Sequence, residues 1–213
     1  MFAKVYDLLM ADVDYEKLYQ WIKPYLNTHD FIVDAGCGSG YLLVELLKEK
    51  HVAIGIDNDT AMLSLSLEKL RSNQLETSLY EHDLRKSLYG PFDVVLMMFD
   101  VINYFKGAKK VFHNVYQALD DKGRFIFDIY KTEVLETYHD YIETEDDPLP
   151  YTWHMSSLGH ILKHQVIVDD QVDHVTQYVY DLDYYLCLLS DLGFKVQVLD
   201  GLDPRKHYII ATK

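Results

Sequence analysis

Residues 31–46 read FIVDAGCGSGYLLVEL: a short apolar run, glycines at 36, 38 and 40, and then a helix-like pattern. A strand that passes straight into a helix through alternating glycines brings main chain close to a ligand, because glycine accepts φ > 0 and carries no Cβ. Two details restrict that ligand. The dinucleotide fingerprint Gly-x-Gly-x-x-Gly needs a glycine at 41, where this chain has Tyr41. Asp34 also precedes the first glycine, a poor place for a carboxylate in a loop meant to hold phosphate.

Outward from this loop the first 130 residues alternate strands and helices. Strands are expected at 31–35, 51–57, 77–83, 92–99 and 123–130, and helices at 14–26, 40–50, 60–73 and 108–120. Pro24 should disturb the last turn of the first helix, and Asp59 can cap the third. FDVVLMMF (92–99) is continuously apolar, as a strand buried on both faces requires. The alternation predicts a doubly wound, Rossmann-like α/β fold whose ligands lie beyond the carboxyl ends of the strands.

After Tyr130 the pattern changes. ETEDDPLP (143–150) reads as an acidic linker, and 151–181 as three antiparallel strands. A helix over 184–193, ended by Gly193, and two closing strands follow. One domain spanning 1–213 is therefore expected. It has a cofactor-binding core (1–130), an antiparallel β insertion over the active site (143–181), and a C-terminal part (182–213) completing a seven-stranded, mostly parallel sheet.

The bulk properties exclude several classes of function. Net charge is −14, which argues against nucleic acid as a partner and favours a small molecule. No apolar run approaches the ~20 residues of a membrane span, and the N-terminus lacks signal-peptide character, so a cytoplasmic location is expected. The two cysteines, Cys37 and Cys187, fit no metal spacing. Four histidines (154, 160, 164 and 174) fall in the 151–181 segment without a supporting carboxylate or cysteine pattern, so no metal is expected.

Other positions support the glycine loop. Asp57 ends the second strand, where a carboxylate accepts hydrogen bonds from ribose hydroxyls; capping the next turn is its alternative role. Asp83 ends the third strand, within reach of a base edge. Met62 is placed either to pack on an adenine or to fill the core.

Together, Asp34-Ala-Gly36-Cys-Gly38-Ser-Gly40, GIDNDTAML with Asp57, EHDLR with Asp83, FDVVLMMFDVINYF and GRFIFDIY resemble the class I S-adenosylmethionine-dependent methyltransferases. The N-terminal YDLLM and the Asp100-x-x-Asn103-Tyr104 run resemble a group of small bacterial members. The resemblance implies that Asp34 and Gly36 hold the ammonium of the cofactor's methionine end. It further implies that Gly38 and Gly40 shape the loop, Asp57 takes the ribose diol and Asp83 the adenine amino group. Leu84 and Met62 would flank the ring, and Tyr6 would fold over the cofactor. S-adenosyl-L-methionine carries an ammonium and a sulfonium and no phosphate, which suits an acidic cleft.

Methyl transfer needs alignment and exclusion of water, and a base only where the acceptor must lose a proton. FDVINYF lies where the methyl group would project. Asp100 could position or deprotonate an acceptor, Asn103 orient it and Tyr104 wall the site. His154, beside Trp153, is the preferred candidate for a general base, and Tyr151 and Trp153 could supply an aromatic wall. The expected activity is methyl transfer to a small-molecule O or N acceptor by a monomer or homodimer. RNA or protein methylation, cofactor binding without catalysis, and a nicotinamide-binding dehydrogenase domain are the alternatives.

Overall fold

The structure is a computed structural model that describes residues 2–147, 149–169 and 171–213. Pro148, in the stretch read as a linker, lies outside the described residues. The strands are β1 (Phe31–Ala35), β2 (Val52–Asp57), β3 (Leu79–Glu81), β4 (Phe92–Met97), β5 (Leu119–Tyr130), β6 (Tyr141–Glu145), β7 (Tyr151–Leu158), β8 (Ile161–Val168), β9 (Gln171–Tyr178), β10 (Lys195–Leu199) and β11 (Lys206–Thr212). The helices are α1 (Phe2–Met10), α2 (Tyr15–Ile22), α3 (Tyr41–Lys48), α4 (Thr60–Ser72), α5 (Lys109–Ala118), α6 (Val134–Thr137) and α7 (Leu182–Leu192).

Seven strands form one sheet in the order β10-β11-β5-β4-β1-β2-β3. Pairing is parallel from β5 through β4, β1 and β2 to β3, and antiparallel at β11 with both of its neighbours. Alternate residues of the central strands feed two separate cores, which is why those strands read as continuous apolar runs. Val33, Val95, Met97, Phe125 and Phe127 pack with Val111, Phe112, Tyr185 and Leu189 of α5 and α7. Ile32, Val94, Leu96 and Ile126 pack on the other face with Leu18, Ile22, Leu43, Leu46 and Leu70 of α2, α3 and α4.

Local signals set the helix ends. Asp59 caps α4 by accepting the Ala61 N–H at 2.8 Å. Pro24 sits in a 3-10 turn, Lys23–Tyr25, that ends α2. Gly193 closes α7 at φ 95°.

Two expectations change, and one element is added. The third strand is trimmed to Leu79–Glu81. Residues 141–145, three of them inside the stretch read as a linker, are strand β6, so the second sheet has four strands in the order β6-β7-β8-β9. The acidic composition concealed an alternation: Glu143 lies opposite Trp153 and accepts hydrogen bonds from the hydroxyls of Tyr141 and Tyr151. The N-terminal motif is helix α1, which buries Ala3 and Val5 and places Tyr6 and Met10 over the carboxyl edge of the large sheet. Among the described residues no helix is long and apolar enough to cross a membrane.

Candidate active site

The loop after β1 is strapped to the neighbouring strand. The N–H groups of Gly36 and Cys37 both donate to the Ile56 carbonyl, at 2.8 and 3.0 Å. Gly36 (φ 81°) and Gly40 (φ 83°) are glycines for lack of room as well as for their backbone. A Cβ would lie 2.7 Å from Val101 at the first and 2.2 Å from the Ser66 hydroxyl at the second. Gly38 (φ 53°) differs, since nothing stands within 4 Å of where its Cβ would be. It lines a cleft of about 360 Å³ at the carboxyl ends of β1, β2 and β4.

Carboxylates dominate that cleft. Asp57 accepts the N–H of Gly38 through Oδ2 and of Asp59 through Oδ1, both at 2.9 Å, so one side chain fixes the glycine loop and the next turn. Asp34 is buried beneath the loop, and its Oδ2 has no hydrogen-bond partner among the described residues. Burial, and then the charge of Asp57, push the Asp34 carboxyl up to about 7. Asp83 also lines the cleft, but Arg85 grips both of its oxygens, at 2.9 Å through Nε and 2.9 Å through Nη2, and holds its carboxyl down at about 2. Met62 and Leu84 are buried in the cleft wall, and Tyr6 and Tyr104 border it. The structure thus gathers all nine residues read as cofactor-binding around one cavity.

This donor set fits S-adenosylmethionine. An orphaned buried carboxylate oxygen matches an ammonium, the open side of Gly38 admits close approach, and Arg85 is the sole Lys or Arg among the described lining residues. A pyrophosphate would instead meet Asp34, Asp57 and Asp59.

A second cavity of about 550 Å³ adjoins the first, and Tyr6, Met10, Phe99 and Tyr104 line both. Its floor is an unusual turn. Phe99 and Asp100 both adopt left-handed backbone, at φ 63° and 54°, a conformation that costs roughly 1–2 kcal/mol for a residue with a Cβ. Asp128, at the end of β5, holds the turn by accepting the N–H groups of both. Lys206 Nζ, buried at the start of β11, lies 2.6 Å from Asp100 Oδ1 and 3.4 Å from Asp128 Oδ2. Burial works against its charge, yet the two carboxylates hold the Lys206 pKa well above its ordinary value.

The roof is the inner face of the four-stranded sheet. Trp153 Nε1 donates to His164 Nδ1 at 3.1 Å, His164 Nε2 pairs with Gln177 Oε1 at 2.9 Å, and Gln177 Nε2 donates to Asp100 Oδ2 at 2.5 Å. An indole N–H can only donate, so Nδ1 must accept and Nε2 must carry the proton. His164 is therefore neutral, and burial lowers its pKa accordingly.

These contacts correct three expectations about the chemistry. Asp100 is no free base, because Lys206 and Gln177 occupy both of its oxygens. Asn103 lines neither cavity. It is fully buried, donating to the Tyr178 carbonyl at 2.8 Å and accepting the Tyr130 N–H at 3.0 Å, and so ties β9 to β5. His154 neighbours Trp153 on one strand and so points to the opposite face, alongside Gln165 and His174. Tyr104 lines both cavities. Tyr151 packs with Val5 and Val168 away from the cavity, and His160 stacks on Tyr180 beside a hairpin turn. Asp128, Gln177 and Lys206 were missed. Their one visible signal is polarity at the ends of apolar strands. Among the described residues no group of three or more His, Cys, Asp or Glu is placed to hold a metal, and both cysteines are free.

Comparison with known proteins agrees with this geometry. A methyltransferase domain matches residues 32–123. A protein of Geobacillus sp. (strain WCH70) that carries a methyltransferase name is 27% identical over 92% of this chain and 88% of its own length. An S-adenosylmethionine-dependent methyltransferase from Clostridium acetobutylicum superposes with a TM-score of 0.81 at 23% identity, covering 99% of this chain and 97% of that one. The sugar N-methyltransferase KedS8 from Streptoalloteichus sp. superposes with a TM-score of 0.77 at 18% identity, covering 98% and 92%.

Proposed function

We propose that this chain is a class I S-adenosylmethionine-dependent methyltransferase, a reading that its methyltransferase domain, its relatives and its fold support, and that it methylates an oxygen or nitrogen of a small molecule bound in the second cavity. The observation that carries this is the junction of the two cavities at Tyr6, Met10, Phe99 and Tyr104. The second cavity, about 550 Å³, is of the size that small-molecule sites occupy, roughly 300–1,000 Å³. KedS8, a sugar N-methyltransferase of similar fold, is compatible with a polar acceptor of that size.

In this reading residues 1–130 hold the donor, 143–181 cover the acceptor, and 182–213 complete the sheet and deliver Lys206. Asp34 receives the ammonium of the cofactor, Gly36, Gly38 and Gly40 let its body approach the main chain, and Asp57 takes the ribose diol. Met62 and Leu84 flank the adenine, with Asp83 at its edge and Tyr6 over the cofactor. When bound, the cofactor supplies a methyl carbon already activated by its sulfonium. What remains for the protein is alignment and dryness. Tyr6, Phe99 and Tyr104 form the wall between donor and acceptor, and the sheet roof excludes water.

The test is transfer of labelled methyl from S-adenosylmethionine to a metabolite extract, with total RNA and total protein pools assayed in parallel. Label is expected in the metabolite pool. Label confined to RNA or protein would overturn the reading.

A further inference from the structure

We propose that the acceptor is an amine, and that the Asp100–Lys206–Asp128 cluster with its His164–Gln177 support is an anionic seat that selects nitrogen over oxygen. This rests on the methyltransferase reading above and narrows it.

The argument begins with a direction of hydrogen bonding. The indole of Trp153 fixes His164 as an Nε2–H tautomer. That proton goes to Gln177 Oε1, which turns the Gln177 amide N–H toward Asp100. Asp100 thus receives donors on both oxygens, from Gln177 and from Lys206. Asp128 likewise receives only donors: the N–H groups of Phe99 and Asp100, and Lys206. Among the described residues no hydrogen-bond acceptor faces either carboxyl, and although burial raises the Asp128 pKa, Lys206 and the two N–H groups work against that rise, so both serve as carboxylates.

Charge balance follows. The described residues lining the cavity include three carboxylates, Asp100, Asp128 and Asp203, and two cations, Arg205 and Lys206. Both cations are already engaged: Lys206 with Asp100 and Asp128, and Arg205 with both oxygens of Asp203. His164 adds nothing. One negative charge is left over in the lining of this partly open cavity, which repels an anionic acceptor and attracts a cationic one. Phe99, Tyr104, Tyr130 and Trp153 line the same space, and the Lys206 ammonium already lies over the rings of Phe99 and Tyr130, at 5.6 and 5.1 Å.

The chemistry points the same way. An alcohol needs a base, and the carboxylates here are taken. The phenols of Tyr6, Tyr104 and Tyr130 are all raised, by desolvation first and with the Asp100 charge adding to it, so they stay neutral. An amine needs no side-chain base when the form that reacts is the neutral one, its proton left to bulk solvent. Its lone pair forms the new N–C bond, the C–S bond breaks, and that electron pair stays on sulfur. Positive charge therefore moves from sulfur to nitrogen. An anionic seat on the acceptor side stabilises the charge where it arrives, more in the transition state than before it.

The test divides the metabolite extract in two. One half is treated with acetic anhydride and then hydroxylamine, which blocks primary and secondary amines and restores hydroxyls. The expected result is labelling in the untreated half, in a base-stable product retained by a cation-exchange resin, and at least a tenfold loss in the acetylated half. Undiminished labelling after acetylation, or a base-labile product, would overturn the amine assignment and leave the methyltransferase reading standing. Label in neither half, with S-adenosylhomocysteine still bound, would end the small-molecule reading and the amine with it. Asp100→Asn provides an independent measure. Transfer to the untreated extract should fall at least tenfold while S-adenosylhomocysteine affinity stays within twofold, and unchanged transfer would refute the seat. Should that variant fail to fold, the acetylation comparison on the unaltered protein still decides.

Discussion

The donor cleft and the proposed acceptor cavity share four residues but are built in opposite ways. The donor cleft takes its shape from main chain, which a few carboxylates then line. Its decisive contact, Gly38 N–H to Asp57, joins residues 19 apart, and its shape comes from three glycines at positive φ. The acceptor cavity is made of side chains from distant segments, with Gln177 and Lys206 lying 77 and 106 residues from Asp100. Backbone geometry can be locally encoded and tolerates few substitutions. A side-chain cluster depends on the whole fold and can be retuned one residue at a time. The first design suits an invariant donor, the second a particular acceptor.

The comparison breaks most forcefully at Lys206. Lys206→Met leaves Asp100 and Asp128 buried together without their cation, and removing one partner of a buried ion cluster costs about 3–5 kcal/mol. Urea denaturation should show that loss. An unchanged midpoint would mean that the cluster does not hold charges away from water.

Next come the glycines, which separate stability from ligand binding within one loop. Gly40→Ala places a Cβ against Ser66 at φ 83° and should destabilise the fold by about 1–3 kcal/mol. Gly38→Ala has room, so only its left-handed backbone resists, at about 1 kcal/mol. Its methyl group should nevertheless weaken S-adenosylhomocysteine binding more than tenfold. Calorimetry and thermal unfolding of the two variants should therefore rank them in opposite orders. The same ranking from both methods would mean that Gly38 does not face the ligand.

Asp34 gives the donor cleft a pH signature. Its carboxyl is raised to about 7 by burial and by Asp57, so the folded chain binds a proton there that the unfolded chain has already lost. This contribution to stability falls as pH rises from the ordinary carboxylate range toward 7. Ligand binding runs the other way, because an ammonium prefers the ionised form. Affinity for S-adenosylhomocysteine should climb by up to about tenfold per pH unit below 7 and then level off. Asp34→Asn should flatten the profile. An equally steep profile in that variant would assign the titration to another group.

The difference between the two regions also explains what could be read from the sequence. Asp34, the glycines, Asp57 and Asp83 stand at strand ends that alternation places at one edge, so their convergence was legible. The acceptor side was not. Asp100 and Tyr104 were found because they follow β4 directly. Asn103 was misassigned because its partners, Tyr130 and Tyr178, lie far along the chain. Choosing His164 over His154 required the register of β7 against β8, and only the pairing of Met155 with His164 supplies it. Strand β6 was hidden because acidic residues dominate its composition while its alternation decides its structure.

The finest probe of the acceptor side is the indole of Trp153, which sets the direction of every bond from His164 to Asp100. Trp153→Phe keeps an aromatic ring against the cavity and removes one donor, for a loss of about 0.5–1.5 kcal/mol. The larger consequence is in titration. Nδ1 no longer accepts a hydrogen bond from the indole N–H beside it, and it can take a proton from water instead. In the unaltered protein burial lowers the His164 pKa, so the folded chain resists a proton that the unfolded chain accepts. That part of the stability is present above the ordinary histidine range and declines as pH falls through it. In Trp153→Phe the His164 pKa should rise and the acid-side decline should shrink. NMR titration of the imidazole follows the first and denaturation at two pH values the second. A histidine that titrates as before would show that the indole does not fix its tautomer, and the inferred charge on Asp100 would then have to rest on Lys206 alone.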